Sequence, residues 1–167
     1  MKIELSNIVL NCYDKEDINH NNLVSEFLGD SSSNYIHDID SRLKNNKIKN
    51  DSIFDKGYIV SFNYSLIGYV FISKIIKDDI YLEYSILKEY RGKGLGKLLL
   101  SEISNYLIDN YNIKSIMLDI DPSNVPSIMT AVSCGYIADD EEYISRNMSG
   151  KILYRIDNYN YINKRKK

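Results

Sequence analysis

Tryptophan is absent from this 167-residue sequence, and cysteine, histidine and proline occur only twice each. Cys12 and Cys134 are far apart in the chain and form no pair at metal-ligand spacing. His20 and His37 have no partners at metal-ligand spacing either. We therefore predict no metal site, and two free, buried thiols in a reducing compartment.

Long apolar runs are also missing. No stretch approaches the ~20 residues of a membrane span, and Met1–Glu4 does not begin a signal peptide. The sequence therefore predicts a cytoplasmic protein without a membrane partner. The net charge of −2 disfavours a general nucleic-acid binder. The basic run Lys164–Lys167 is predicted to be a disordered tail, with RNA or ribosome contact as the alternative.

Apolar residues recur at helix or strand spacing along much of the chain. This pattern predicts one mixed α/β domain over residues 1–163, with a mixed sheet that has helices on its faces. The apolar patterns and turn residues place the elements in the order β-α-α-β-β-β-α-β-α-β-β. Strands are predicted at residues 3–13, 58–62, 67–72, 80–87 and 114–120, with two more between 136 and 156 around an acidic turn. Helices are predicted in two pieces within residues 17–46, broken near 29–33, and at 95–110 and 123–134.

The most informative segment is Arg91–Lys97, which has three glycines in five residues between a predicted strand and a predicted helix. Such a loop can curl tightly and direct several backbone N–H groups at one point, at the positive end of a helix dipole, where a phosphate binds well. The spacing matches neither the P-loop, which also needs a hydroxyl where Leu98 stands, nor the dinucleotide fingerprint. A glycine-rich hairpin is the other reading, but residues 95–110 have helical periodicity and supply no second strand.

Two segments together resemble the GNAT superfamily of acetyl-CoA-dependent N-acyltransferases, over nearly the whole chain. Ile86–Leu99 is similar to the family's cofactor motif, a strand-end Val or Ile followed by Arg/Gln-x-x-Gly-x-Gly. Leu118–Asn124, followed by Gly135 and Tyr136, looks like the family's strand–Asn–helix–Gly-aromatic segment. The resemblance implies a central, mostly antiparallel sheet flanked by helices, with acetyl-CoA as co-substrate and no metal.

The resemblance also implies a set of cofactor-binding residues. Backbone N–H groups of the glycine loop would hold the pyrophosphate, with added charge from Arg91 and Lys93. Ile86 and Leu87 would pair with the pantetheine arm, and a backbone N–H there would donate to the thioester oxygen. Asn124 would contact the cofactor, cap a helix, or do both. The full set is Ile86, Leu87, Arg91, Gly92, Lys93, Gly94, Leu95, Gly96, Lys97, Leu98 and Asn124.

Two carboxylates are candidates for the catalytic base. Asp119 corresponds to the acidic position of N-terminal acetyltransferases in this superfamily and is preferred by a small margin; Glu83, inside the cofactor strand, is the rival. A carboxylate of ordinary pKa deprotonates an ammonium ion poorly, so the base needs burial or a water relay. Many relatives carry a tyrosine as general acid seven residues after the asparagine, where this chain has Ala131, and Tyr136 is expected to be a packing residue.

The resemblance implies transfer of acetyl to a primary amine by direct attack in a ternary complex, the acceptor being a protein N-terminus, a lysine or a small cationic amine. Acidic residues in the first helical region and in the turn between the last two predicted strands suggest attraction of a cationic acceptor, although solvated turns explain them equally well; they are Asp14, Glu16, Asp17, Asp38, Asp40 and the run 139–142. A catalytically inactive CoA-binding sensor or scaffold is the alternative function. The sequence is compatible with a homodimer.

Overall fold

The computed structural model describes residues 2–14, 16–28, 57–139 and 150–164. Within these ranges the chain forms eight strands and four helices. They are β1 (Lys2–Glu4), β2 (Val9–Cys12), α1 (Ile18–Leu28), β3 (Gly57–Phe62), β4 (Ser65–Ile76), β5 (Asp79–Ile86), α2 (Leu95–Asn110), β6 (Ser115–Ile120), α3 (Val125–Ser133), β7 (Ile137–Ala138), β8 (Ile152–Asp157) and α4 (Tyr159–Lys164). A 3₁₀ turn, Lys88–Tyr90, lies between β5 and α2.

The strands lie in one sheet in the order β1-β2-β3-β4-β5-β6-β8-β7. Strands β5 and β6 are parallel, and α2 is part of the crossover that a parallel pair requires. The pairs β1–β2, β2–β3, β3–β4, β6–β8 and β7–β8 are antiparallel. The mixed, mostly antiparallel sheet expected from the sequence is confirmed.

The chain packs as two compact units, one formed by Met1–Ser73 with Glu83–Leu95 and the other by Lys74–Leu82 with Gly96–Lys167. In the first unit the interior consists of apolar strand residues from β2, β3 and β4, among them the fully buried Leu10, Ile59 and Ile67. In the second unit the apolar side of α2 is buried together with strand residues: Ile80, Leu99, Leu100, Ile103, Leu107, Ile116 and Leu153. That one domain spans residues 1–163 stays a prediction.

Most predicted elements are present close to their predicted bounds. The β3–β4 hairpin turns through Asn63 and Tyr64, both with positive φ, as a two-residue hairpin loop requires. Helix α2 covers the predicted residues 95–110. Helix α3 ends before Gly135, whose φ of 88° is the left-handed cap expected there.

Two predictions need correction. The first strand, predicted over residues 3–13, is instead two antiparallel strands, because the Leu5 N–H donates to the Ile8 carbonyl at 2.8 Å and reverses the chain. The sequence also did not predict α4, which includes Lys164 of the expected tail. The second helical piece near residues 35–43, the acidic residues 140–142 and the tail residues 165–167 lie outside the described residues.

Candidate active site

The glycine loop begins directly after the 3₁₀ turn, and its backbone depends on two glycines. Gly92 and Gly94 have φ of 72° and 78°, a left-handed conformation that other residues rarely adopt. A Cβ atom built on either glycine would meet no described atom within 4 Å. Local packing therefore does not require these glycines. The positive φ of their backbone does require them.

Helix α2 starts at Leu95, immediately after these glycines. The buried side chain of Leu95 anchors its first residue, while Lys97 is exposed and Leu98 is half-buried. The first turn of α2 contains no acidic residue of its own, and its first N–H groups have no partner within the helix. The loop and the helix start, here called the cradle, have the arrangement that the sequence predicted, and binding of an anion there stays a prediction.

Two cations of the loop, Arg91 and Lys93, each contact a neighbouring residue. Arg91 Nε donates to the Ile86 carbonyl oxygen at 2.8 Å, which ties the loop back to the end of β5. Lys93 Nζ lies 5.5 Å from the centroid of the Tyr90 ring, within cation–π range. Arg91 therefore has a structural contact that the sequence did not reveal, in addition to its charge.

At the end of β5, the backbone N–H groups of the two predicted strand-end residues, Ile86 and Leu87, point to different edges of the strand. The Leu87 N–H donates to the Ile67 carbonyl of β4 at 2.8 Å, and the Leu87 side chain is buried with Leu23 and Ile59. Because successive backbone groups of a strand point to opposite edges, the amide of Ile86 is directed to the edge away from β4. Of the two residues, only Ile86 can offer an N–H on that edge.

The parallel ladder of β5 with β6 covers three residue pairs, from Asp79↔Ser115 to Tyr81↔Met117. Strand β5 continues for five residues beyond the last of these pairs, to Ile86. Glu83 lies in this continuation and is a half-buried residue.

Asp119 lies on β6 in the second unit, with a side chain that is 31% exposed. Its Oδ2 is 3.7 Å from Lys74 Nζ, and that same ammonium group lies 4.1 Å from the centroid of the Tyr81 ring. The Asp119 carboxylate is therefore only partly buried and has a cationic neighbour.

Asn124 is the N-cap of α3, and its Oδ1 accepts a hydrogen bond from the Ser127 N–H at 3.3 Å. The capping role considered from the sequence is thus present. Just before it, the side-chain hydrogen bond from Ser123, with a second from the Ser123 backbone, lowers the pKa of the Asp121 carboxyl.

Ala131 stands at the position where the family resemblance leads one to expect a tyrosine that acts as general acid, and it is fully buried. Tyr136 is also buried, and its hydroxyl lies 2.7 Å from Ser104 Oγ. Tyr136 is the packing residue that the sequence predicted.

Three of the acidic residues expected at the acceptor mouth, Asp14, Asp17 and Asp139, have local partners. Asp139 is almost fully buried and accepts a hydrogen bond from Arg155 Nη1 at 2.7 Å. Asp14 accepts from the Glu16 N–H and Asp17 from the Asn19 N–H, contacts typical of a turn and a helix start. Asp38 and Asp40 lie outside the described residues.

Cys12 and Cys134 are free, as predicted, but both are only partly buried. The Cys134 thiol donates to the Lys97 carbonyl at 3.5 Å, and burial raises its pKa. Among the described residues, no group of three potential metal ligands comes together. None of the described helices combines the length and apolar character needed to cross a membrane.

A mixed, mostly antiparallel sheet with a glycine loop at a helix start is an arrangement that occurs in proteins that bind a phosphate-bearing cofactor. A family model described as "Acetyltransferase (GNAT) family" matches residues 21–136, which is more than half of the chain. The chain belongs to this family, whose enzymes use acetyl-CoA as co-substrate. No curated protein sequence matches the chain.

Solved structures agree on the fold. An acetyltransferase of the GNAT family from Bacillus anthracis is 15% identical with a TM-score of 0.70, and the alignment covers 95% of this chain and 99% of that one. The N-acetyltransferase PseH of Campylobacter jejuni, in complex with acetyl coenzyme A, is 15% identical with a TM-score of 0.66, over 90% and 98% of the two chains. A mutant of the spermidine N-acetyltransferase SpeG from Vibrio cholerae is 16% identical with a TM-score of 0.66, over 96% and 99%.

Proposed function

We propose that this protein transfers an acetyl group from acetyl-CoA to a primary amine, by direct attack of the amine in a ternary complex. The observation that carries the proposal is the cradle around Gly92 and Gly94, where two left-handed glycines open directly onto the start of α2. The pyrophosphate of coenzyme A is an anion that such a cradle holds without a metal.

The described residues fit acetyl-CoA in three respects. The N–H groups of Lys93–Lys97 would hold the pyrophosphate, and the Arg91 and Lys93 side chains would add positive charge. The continuation of β5 beyond Tyr81 would offer a strand edge to the peptide-like pantetheine arm. Asn124 would contact the cofactor while it caps α3. When bound, acetyl-CoA supplies an activated acetyl group as a thioester.

We assign the oxyanion donor to the Ile86 N–H. Of the two strand-end amides, that of Leu87 is engaged by Ile67, whereas the amide of Ile86 faces the other edge of β5. An N–H in this position would stabilise the negative charge that develops on the thioester oxygen during attack, an effect worth roughly 3 kcal/mol in other enzymes.

The proton of the attacking ammonium ion needs an acceptor, and the two carboxylates are suited to different roles. Glu83 is half-buried on β5, and we propose it as the direct base. Asp119 is exposed and beside Lys74, so it would act only through a water relay. This reverses the small preference for Asp119 that the sequence suggested.

Coenzyme A can leave as a thiolate without being protonated by a tyrosine. A free thiol has a pKa near 8.5, so leaving as thiolate at pH 7 costs roughly 2 kcal/mol, which water can reduce. This accounts for a working enzyme with Ala131 at the usual tyrosine position and the Tyr136 hydroxyl in the interior.

The acceptor is proposed to be a primary amine on a protein N-terminus, a lysine or a small cationic molecule. Its support is the family and the activity named for one structural neighbour, a spermidine N-acetyltransferase. We also propose that the protein works in the cytoplasm, which the free thiols of Cys12 and Cys134 support.

The test is a single-turnover assay with acetyl-CoA and a panel of spermidine, a lysine peptide and a peptide with a free N-terminus. The proposal predicts release of free thiol that depends on the acceptor and is lost in Gly94→Asp. If the protein binds acetyl-CoA but no amine raises thiol release above the rate without acceptor, the CoA-binding sensor or scaffold is the better description.

A further inference from the structure

Gly68, in the middle of β4, makes an unusually close backbone contact with β5. A Cβ atom added to Gly68 would lie 2.1 Å from the carbonyl oxygen of Ser85 and 3.2 Å from its carbonyl carbon. Real Cβ atoms do not approach backbone oxygens this closely, so any other residue here would push β5 away. Gly68 is required for this contact between the two strands.

The same two distances give the direction of the Ser85 carbonyl. The oxygen is nearer than the carbon by 1.1 Å, almost the whole length of a C=O bond of about 1.2 Å. The carbonyl therefore points nearly straight at the Cβ position of Gly68. The C=O and N–H of a planar trans peptide point in opposite directions. The Ile86 N–H, which belongs to this peptide group, is consequently directed away from Gly68.

The next peptide group along β5 is held at both of its ends. Its N–H, that of Leu87, donates to the Ile67 carbonyl at 2.8 Å. Its carbonyl, that of Ile86, accepts from Arg91 Nε, also at 2.8 Å. The peptide that presents the Ile86 N–H therefore lies between Gly68 on one side and a peptide clamped by Arg91 on the other.

A β-bulge places Ile67 and Gly68 for these contacts. Val60 of β3 pairs with Gly68, but the following residue, Ser61, pairs with Leu66, so Ile67 is an extra residue in β4. Bulges increase the local twist and redirect a strand, and they are frequent beside active sites.

We propose that Gly68 and Arg91 are positioning residues that together fix the Ile86 amide for the thioester carbonyl. The proposal rests on the assignment of the Ile86 N–H as oxyanion donor. It gives Arg91 a second role, distinct from its charge, and gives Gly68 a role that lies outside the glycine loop.

The experiment measures the thioester carbonyl itself, with acetyl-CoA that carries ¹³C at that carbon. Infrared difference spectra compare its C=O stretch when free and when bound at saturation to the wild type, Gly68→Ala, Arg91→Ala and Lys93→Ala. A hydrogen bond from Ile86 lowers the stretching frequency. We expect the wild type to show this lowering, and both Gly68→Ala and Arg91→Ala to lose most of it while they still bind at higher ligand concentration.

Lys93→Ala is the matched control, because it removes one loop cation as Arg91→Ala does, yet Lys93 contacts the Tyr90 ring and not the Ile86 carbonyl. It should weaken binding and keep the lowered frequency at saturation. Arg91→Ala with an unchanged frequency overturns the role of Arg91, and a folded Gly68→Ala with an unchanged frequency overturns that of Gly68.

If Gly68→Ala does not fold, amide hydrogen exchange in the wild type tests the same geometry. Acetyl-CoA should protect the Ile86 amide more than coenzyme A does, and equal protection overturns the proposal. If the wild type binds acetyl-CoA without any change in the C=O frequency, the Ile86 N–H is not the oxyanion donor and this inference fails. If the wild type does not bind acetyl-CoA at all, the proposed function fails as well.

Discussion

The hydroxyl of Tyr136 lies 2.7 Å from Ser104 Oγ in the interior of the protein, where both residues are buried. Ser104 Oγ is also 2.6 Å from the Leu100 carbonyl, which can only accept. The single hydroxyl proton of Ser104 therefore goes to Leu100, and Tyr136 donates to Ser104. The Tyr136 proton is thus engaged inside the protein rather than available to a departing thiolate.

The substitution Tyr136→Phe should therefore affect stability and not catalysis. We expect a loss of about 1 kcal/mol in the free energy of unfolding, the usual value of one buried hydrogen bond, and no change in kcat. Denaturant unfolding and steady-state acetyl transfer measure the two effects. Tyr159→Phe is the control, since Tyr159 is 75% exposed and its substitution should change neither. A large fall in kcat for Tyr136→Phe would show that this hydroxyl takes part in proton transfer.

Gly94→Ala should separate the strain of the loop from its binding role. A left-handed alanine costs roughly 1–2 kcal/mol, a fall in Tm of a few degrees for a chain of this size. Acetyl-CoA at 100 times its dissociation constant should stabilise the wild type by about 2.7 kcal/mol. We expect Gly94→Ala to lose most of this ligand-induced rise in Tm, because the new Cβ projects into the open side of the cradle.

Gly150→Ala is the matched control for that experiment. Gly150 also has a positive φ, 66°, and a Cβ there would likewise meet no described atom within 4 Å. It should show a similar fall in Tm and a full response to acetyl-CoA. Equal loss of the response in both variants would mean that left-handed strain, and not the cradle, accounts for the effect.

The glycine loop between a strand and a helix could be predicted because its signals are local: three glycines, a strand before them and an amphipathic helix after them. The contact of Gly68 with Ser85 and the bond from Arg91 to Ile86 could not be predicted, since both depend on how the chain packs. Residues 3–13 were predicted as one strand, because an apolar run does not show where a short turn reverses the chain. The missed helix α4 did have one signal, Asn158 at its N-terminus, a residue favoured at N-caps.

Asn158 should be among the residues whose loss destabilises the second unit most. Its Nδ2 donates to the Ile113 carbonyl at 2.9 Å, and its Oδ1 accepts from the N–H groups of Asn160 and Tyr161 at the start of α4. The residue is 3% exposed, so truncation leaves buried polar groups unpaired. We expect Asn158→Ala to lower the free energy of unfolding by about 2–4 kcal/mol. Asn160→Ala, at an exposed position, should change it by less than about 0.5 kcal/mol; equal effects would contradict the assignment.

Cys134 should react slowly with alkylating reagents. Burial raises the pKa of its thiol, so at pH 8 a smaller fraction is thiolate than for a free cysteine, and the thiolate is the reactive form. In Cys12→Ser, which leaves Cys134 as the remaining cysteine, the rate with iodoacetamide should rise with pH to a midpoint above that of free cysteine. A midpoint at or below the value for free cysteine would contradict the cause given for the shift.

Glu83 and Asp119 can be distinguished as bases by paired amide substitutions. A positioned general base contributes roughly 10²–10⁴-fold to the rate, so we expect Glu83→Gln to lower kcat by at least about 10²-fold. Asp119→Asn removes an exposed carboxylate beside Lys74, and its effect on kcat should stay below about tenfold, as a water relay would allow. Because an exposed ion pair contributes at most about 1 kcal/mol, Asp119→Asn should barely change the unfolding midpoint. If Asp119→Asn proves the more damaging substitution while both variants bind acetyl-CoA normally, Asp119 is the base and the proposed order is reversed.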